Sequence, residues 1–325
     1  MAMLVGIDEA GFGPLLGPLV VSAAAFSVPD DLVEADLWHV LRGSTARQRK
    51  GLRGRLHIAD SKKVYTRKAG IETLERSVLS VLRAAGSVPG TVRDLLQGLD
   101  PACLDRLQAY PWHRDLAEVP VPGDDPGKVL AAAVLARDLA DHRMAISSIR
   151  SRCVDVGLYN RLIDAVQNKS TVLFSITCGL IQEAIDRSND ERVEVVVDRQ
   201  GGRMRYRSGL QTMFEGFDMA VLCEDDQVSR YLLTSRGRNG KPDRQIRVHF
   251  AVEADGRSLP VSLASLVSKY VRELLVAGMN RYFGGLCPDL RPTAGYWEDG
   301  LRFLHDLKTR RPDVRIDERM LIRSR

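Results

Sequence analysis

The chain has 325 residues, 44% hydrophobic and 27% charged, with a formal net charge of +5. That balance supports a sizeable folded core and excludes a disordered or fibrous chain. No apolar run approaches the ~20 residues needed to cross a bilayer. The first residues lack the charged leader and cleavage site of an export signal, so a cytoplasmic protein is expected.

In chain order, residues 4–7 read as a buried strand. Residues 19–26, rich in Val and Ala, read as its hairpin partner across a Gly-Pro-rich turn. Apolar residues at helical spacing predict a helix over 67–85. Residues 86–126, with scattered Pro and Gly, read as loops around a short helix. A helix over 129–140 and a strand over 144–149 follow. Two helices are expected over 158–166 and 170–185, the second capped by Ser170. Strands are expected over 193–198, 219–223 and 246–252, and helices over 262–283 and 301–307. Strands mixed with helices predict an α/β fold with a mixed sheet. The chain is read as a single domain over 1–325, with a mostly helical insertion at about 86–145 and an extended arm at about 201–247.

Cys103, Cys153, Cys178, Cys223 and Cys287 include no Cys-x-x-Cys pair. That argues against a disulfide framework and a structural zinc site. Basic residues cluster in three places. Arg203, Arg205 and Arg207 would share one face of a strand. Arg236, Arg238, Lys241, Arg244 and Arg247 fill a glycine-containing stretch, and seven Lys and Arg crowd residues 308–325. Each cluster could neutralise phosphates or simply be solvated. No Gly-x-x-x-x-Gly-Lys-Ser/Thr motif is present, which disfavours a phosphate-binding NTPase.

The chemistry is carried by acids. Asp8 and Glu9 sit side by side where the first apolar run meets a glycine turn. Adjacent, partly buried carboxylates raise each other's pKa, and a divalent cation removes that cost. Asp198 ends a second apolar run. Glu273 lies on a helix, with Asp255 as the alternative fourth acid. Carboxylates on two strand ends and a helix could hold two metal ions for phosphodiester hydrolysis.

The stretch Gly6-Ile7-Asp8-Glu9-Ala10-Gly11-Phe12-Gly13-Pro14-Leu15-Leu16-Gly17-Pro18-Leu19-Val20 resembles the signature that opens type 2 ribonuclease H (ribonuclease HII). Asp60-Ser61-Lys62-Lys63, Val195-Val196-Val197-Asp198, the run from Ser262 to Glu273, and Gly295-Tyr296 resemble further blocks of that family, in its order. The resemblance implies a ribonuclease-H-like fold, with a central mixed sheet flanked by helices. It implies an endonuclease dependent on Mg²⁺ or Mn²⁺ that cuts RNA in RNA–DNA hybrids or in ribonucleotide-containing DNA duplexes.

By the same resemblance, Asp8, Glu9, Asp198 and Glu273 are the metal-binding, catalytic acids, though the family has Asp where this chain has Glu273. Gly11, Phe12 and Gly13 match a Gly-Arg-Gly loop whose backbone reads the ribose 2′-hydroxyl; Phe12 removes the guanidinium. Tyr296 matches a tyrosine that stacks on deoxyribose. Lys62, Lys63 and Lys269 are candidate phosphate contacts, and Ser265 is a candidate contact to the nucleic-acid backbone. Two rivals remain: a related nuclease acting on structured DNA, and a nucleic-acid-binding protein without catalysis.

Overall fold

The computed structural model describes residues 1–66, 68–188, 192–235 and 244–324. Among them, seven strands form one mixed sheet: β1 (Ala2–Ala10), β2 (Leu19–Val28), β3 (Ala145–Val154), β4 (Arg192–Asp198), β5 (Asp218–Glu224), β6 (Val228–Ser235) and β7 (Arg244–Ala251). Their order is β3-β2-β1-β4-β7-β6-β5. β1, β2 and β3 are antiparallel neighbours, while β4 and β7 run parallel to β1. β6 and β5 extend the sheet beyond β7 as an antiparallel ribbon.

The helices are α1 (Glu72–Ala84), α2 (Val92–Leu99), α3 (Pro126–Asp141), α4 (Val156–Val166), α5 (Lys169–Arg187), α6 (Arg207–Met213), α7 (Leu259–Leu286) and α8 (Trp297–Arg310), with shorter turns between them. None is long and apolar enough to cross a membrane, among the described residues. Side-chain alternation on β1 sorts them into two layers. Ala2 and Leu4 pack with Leu263, Ala264, Leu266 and Val267 of α7 and, behind it, α1, α2 and α3. Met3, Val5 and Ile7 face the opposite way, onto Leu173, Ile181 and Ile185 of α5 and Tyr159 and Ile163 of α4. The fold is therefore α/β, with a central mixed sheet covered on both faces.

α7 governs the geometry. Its 28 residues carry Pro260 in the first turn, where a missing N–H costs nothing. It crosses β1 at Gly6, where a Cβ would overlap the backbone of Pro260 and Val261. Only a glycine lets the helix axis come this close. Further along, Ser268 Oγ bonds the Asp8 carbonyl (3.0 Å) and Ser22 Oγ (2.8 Å), and Ser22 Oγ in turn meets Ser151 Oγ (2.8 Å). This buried hydroxyl chain ties α7 to β1, β2 and β3.

Several expectations need correction. Residues 201–235 do not form an arm: they supply α6, β5 and β6, and pair into the main sheet. Arg203 and Arg205 lie on no strand, and Arg207 opens α6. The Arg203 guanidinium stacks on Phe174, at 4.4 Å. Arg244 bonds the end of α5 and Arg247 pairs with Glu194 (3.0 Å), so both serve the fold. Arg236, Arg238 and Lys241 lie outside the described residues. The stretch 86–126 is more helical than expected, because Thr91 and Asp94 form a reciprocal capping box that starts α2. Asn168, and not Ser170, caps α5. The cysteines of the described chain are free thiols.

We expect Gly6→Ala to destabilise the protein by about 2 kcal/mol or more, as overpacking against a fixed backbone does. Gly284→Ala, in the same α7 but with open space around it, is expected to be neutral or to stabilise by up to about 1 kcal/mol. Urea denaturation of both variants measures this; equal midpoints would show that α7 is free to move away from β1.

Candidate metal centre

Strand register builds the site. Ile7 pairs with Val197 across the parallel β1–β4 ladder, so the next residues, Asp8 and Asp198, emerge side by side at the strands' C-terminal ends. Both have the parity of the α7 face. Asp198 pairs with Ala251, the last residue of β7. The chain then turns through Glu253, which has a positive φ of 50°, into a short turn holding Asp255. The Asp198 carboxylate accepts from the N–H of Ala254 (2.8 Å), fixing that turn. Asp60 accepts from the N–H of Lys62 (2.9 Å) and opens the one-turn helix Ser61–Val64.

The electrostatics show how close these acids lie. Burial, then the charges of Glu9 and Asp198, push the Asp8 carboxyl well above the usual carboxylate range. Hydrogen bonds from Ser265 and from the N–H of Glu9 (2.7 Å) oppose that rise only in part. Burial and Asp198 raise Glu9 to about 7. Asp198 is raised by burial, against the bond from Ala254 and the charge of Lys62. Asp255 rises to about 6 through burial, Asp60 and Asp198. Lys62 is exposed, yet its ammonium offsets charge on Glu9, Asp198 and Asp255.

Glu273 stands elsewhere. Its carboxylate accepts from Lys269 Nζ (2.6 Å) and Tyr65 Oη (2.8 Å), with Arg272 Nη1 at 3.6 Å. On α7, Ser265 marks the level of Asp8, and Glu273 lies two turns further, roughly 12 Å at 1.5 Å per residue. Asp255, not Glu273, is the acid whose carboxyl is raised by the charge of Asp198. It precedes α7, where the helix begins to cross the sheet. Glu273 is a partner for Lys269 and Tyr65.

The other expected contacts distribute as follows. Lys63 is exposed beside Lys62. The Lys269 ammonium is held by Glu273 and lies over the Tyr65 ring at 4.8 Å. Ser265 Oγ donates to Ser61 Oγ (3.1 Å) and lies beside the Asp8 carboxyl, whose rise it opposes. Gly11 has φ +91°, and a Cβ there would strike Arg272 and the Pro18 carbonyl; around Gly13 the space is open. Phe12 is half-buried against the α4–α5 layer. Tyr296 is exposed, with the Arg272 guanidinium 5.8 Å from its ring centroid. The Gly295 carbonyl accepts from Leu15 (2.8 Å) and Leu16 (3.0 Å), which joins the Gly-Tyr block to the Gly-Phe-Gly loop.

Sequence reasoning counted Arg323 only as one of the C-terminal basic cluster and did not place it at this loop. It is buried, and it donates to the carbonyls of Gly11 and Phe12. Nothing local in the sequence could place a C-terminal arginine on an N-terminal loop.

The donor set is all carboxylate oxygen, which suits a hard divalent cation. Among the described residues no three Asp, Glu, His or Cys side chains are drawn together as a finished ion cage. The residues fit a metal by charge: acids that raise one another's carboxyls are a set that a divalent ion would satisfy together.

No family model matches the chain, and no curated protein matches it in sequence. The chain is structurally similar to ribonucleases HII and HIII. An Archaeoglobus fulgidus ribonuclease HII, solved in complex with PCNA, shares 16% identity over 99% of this chain and 94% of that one, with a TM-score of 0.47. Ribonuclease H2 from Pyrococcus horikoshii shares 14% over 98% and 92%, with a TM-score of 0.40. Bst-RNase HIII, solved in complex with Mn²⁺, shares 14% over 87% and 56%, with a TM-score of 0.40. At such low identity and overlap, the residues of the cluster decide what the site can do.

The shift of Glu9 sets a pH dependence. Its carboxyl takes up protons more readily in the fold (about 7) than in the unfolded chain (4.5). Between those values the native state binds more protons, so this group's effect on stability worsens as pH rises. We expect Glu9→Gln, in chelator, to match the parent near pH 4.5 and to exceed it progressively up to pH 7–8, by up to about 3 kcal/mol. Melting temperatures across that range measure the difference; a constant gap would remove the charge-repulsion account.

Proposed function

We propose that the chain is a divalent-metal-dependent endonuclease of the ribonuclease HII kind, cutting RNA in RNA–DNA hybrids or ribonucleotide-containing DNA duplexes. The observation that carries this reading is that Asp8, Glu9 and Asp198, at the ends of adjacent strands, and Asp255, in the turn after β7, raise one another's carboxyls, with Lys62 as the cation that opposes them at Glu9, Asp198 and Asp255. Asp8, Glu9, Asp198 and Asp255 would hold Mg²⁺ or Mn²⁺, which supplies an activated water and a stabilised leaving oxygen.

The chain's own residues set the frame for that chemistry. Ser265 orients the Asp8 carboxylate and Ala254 orients that of Asp198. Lys62 limits the repulsion and is free to meet a phosphate. The Gly11–Gly13 loop, with no Cβ at either end, lets a sugar approach the backbone closely enough to sense a 2′-hydroxyl. Tyr296 offers an exposed ring for stacking on the neighbouring sugar. Phe12 in place of an arginine favours one second reading, a nuclease with the same metal site that acts on structured DNA.

Three labelled substrates with Mg²⁺ or Mn²⁺ test the proposal: a duplex with one embedded ribonucleotide, an RNA–DNA hybrid, and plain DNA. Cutting confined to the ribonucleotide-bearing strands supports it. Equal cutting of plain DNA supports the second reading, and binding without cutting removes catalysis. Asp8→Asn, Asp198→Asn and Asp255→Asn should each lower cleavage by more than about 100-fold, beyond the roughly 10–100-fold typical of outer partners. Glu273→Gln should cost less than about tenfold. A reversed order for Asp255 and Glu273 would restore Glu273 as the fourth ligand.

A further inference from the structure

Behind the Gly-Phe-Gly loop, away from the carboxylates, lies a cavity of about 350 Å³ lined by Phe12, Gly13, Tyr159, Lys169, Trp297 and Arg323, among others. The segment that brings Arg323 there is firmly built. Asn160, buried on α4, bonds the carbonyls of Arg319 (2.9 Å) and Ile322 (2.8 Å) and the N–H of Ser324 (2.7 Å). Leu16 and Ile322 form an antiparallel bridge, and Arg323 N–H donates to the Leu15 carbonyl (3.0 Å).

Arg323 is 4% exposed, and its guanidinium lies 3.9 Å from the Tyr159 ring centroid. Two of its nitrogens hold the carbonyls of Gly11 and Phe12, while Nε has no hydrogen-bond partner. Among the described residues it has no carboxylate within ion-pair distance. A buried, permanently charged group without a counter-ion is costly and calls for an anion. Lys169 is exposed at the start of α5, with its ammonium 5.4 Å from the Phe12 ring centroid, and it too has no acidic partner among the described residues. Two cations and aromatic walls in one concavity match a nucleotide unit, with its charged phosphate and flat base.

We propose that this pocket is a phosphate subsite for the nucleic-acid strand, with the phosphodiester between Arg323 and Lys169 and the sugar or base against Phe12 and Trp297. The site lies on the loop that carries Gly11 and Gly13, so it would fix the strand's register on one side of the cut. In this chain a cation from the C-terminal segment stands at the loop where Phe12 supplies none. The proposal rests on the nuclease reading for the identity of the strand, but its test does not depend on cleavage.

The test is binding of a labelled RNA–DNA hybrid by fluorescence anisotropy in chelator, over a salt series. The parent's affinity should fall with salt, because bound phosphates release condensed cations. Lys169→Ala, at an exposed position, should weaken binding about fivefold at low salt and flatten the log–log slope by about 0.9, one phosphate contact. Arg323→Lys keeps the charge but loses the fork, and should weaken binding at unchanged melting temperature. If Arg323→Lys fails to fold, Lys169→Ala alone decides. Parent affinity and slope in Lys169→Ala would overturn the subsite, even in an enzyme that cleaves hybrid normally. Lys169-dependent binding by a parent that cleaves nothing would uphold the subsite and remove the nuclease reading.

Discussion

The close approach of α7 to β1 at Gly6 is the constraint on which the site depends. Because no side chain stands between them, the helix lies nearly on the strand backbone, with Pro260 and Val261 over Gly6 and Ser268 over the Asp8 carbonyl. That spacing brings Ser265 to the Asp8 carboxylate. It also fixes where the chain must leave β7 to start α7, and so places Asp255 beside Asp198. A larger residue at position 6 would lift the helix and separate the parts of the site together.

The carboxylates are arranged against their own stability. Elsewhere the fold compensates buried acids: Glu194 is met by Arg192, Arg247 and His249, and Asp155 by Arg106 and Tyr110. Both are held below the usual carboxylate range by these bonds, although burial opposes it. At Asp8, Glu9, Asp198 and Asp255 the shift is upward. Strain of this kind concentrates at functional sites. The contrast within one chain separates acids that are paired within the sheet from acids that repel one another.

Much of this was legible in the sequence where the signal is local. Asp8 and Glu9 are adjacent at a strand end, and Asp198 closes an apolar run before two glycines. The choice between Glu273 and Asp255 was not legible, because it turns on which level of a 28-residue helix faces the strand ends. Helical periodicity gives the buried face but says nothing of level along the axis. β6 escaped notice because its alternation is mixed, with Ser229 buried and Leu232 half-buried. The three arginines at 203–207 alternate as a strand would, but Tyr206 is drawn into a stack on Phe250 (3.6 Å between centroids), and the backbone turns into α6. Arg323 stood out only as part of a basic cluster, and its place on the loop had no local signal, since its partners lie more than 300 positions away.

That last distance has a consequence for how the protein is made. The carbonyls of Gly11 and Phe12 are fixed by a side chain at position 323, and Leu16 bridges to Ile322. β1 and β2 form a local hairpin and can pair early, whereas β4 must come from far along the chain, and long-range pairings close slowly. The loop between β1 and β2 therefore acquires its final shape only when residues far along the chain have docked. Until then the acidic cleft has no fixed rim beside it. Without the segment around Arg323 the carbonyls of Gly11 and Phe12 would lose that partner, and the rim beside the acidic cleft would stay unfinished even where the sheet itself is complete.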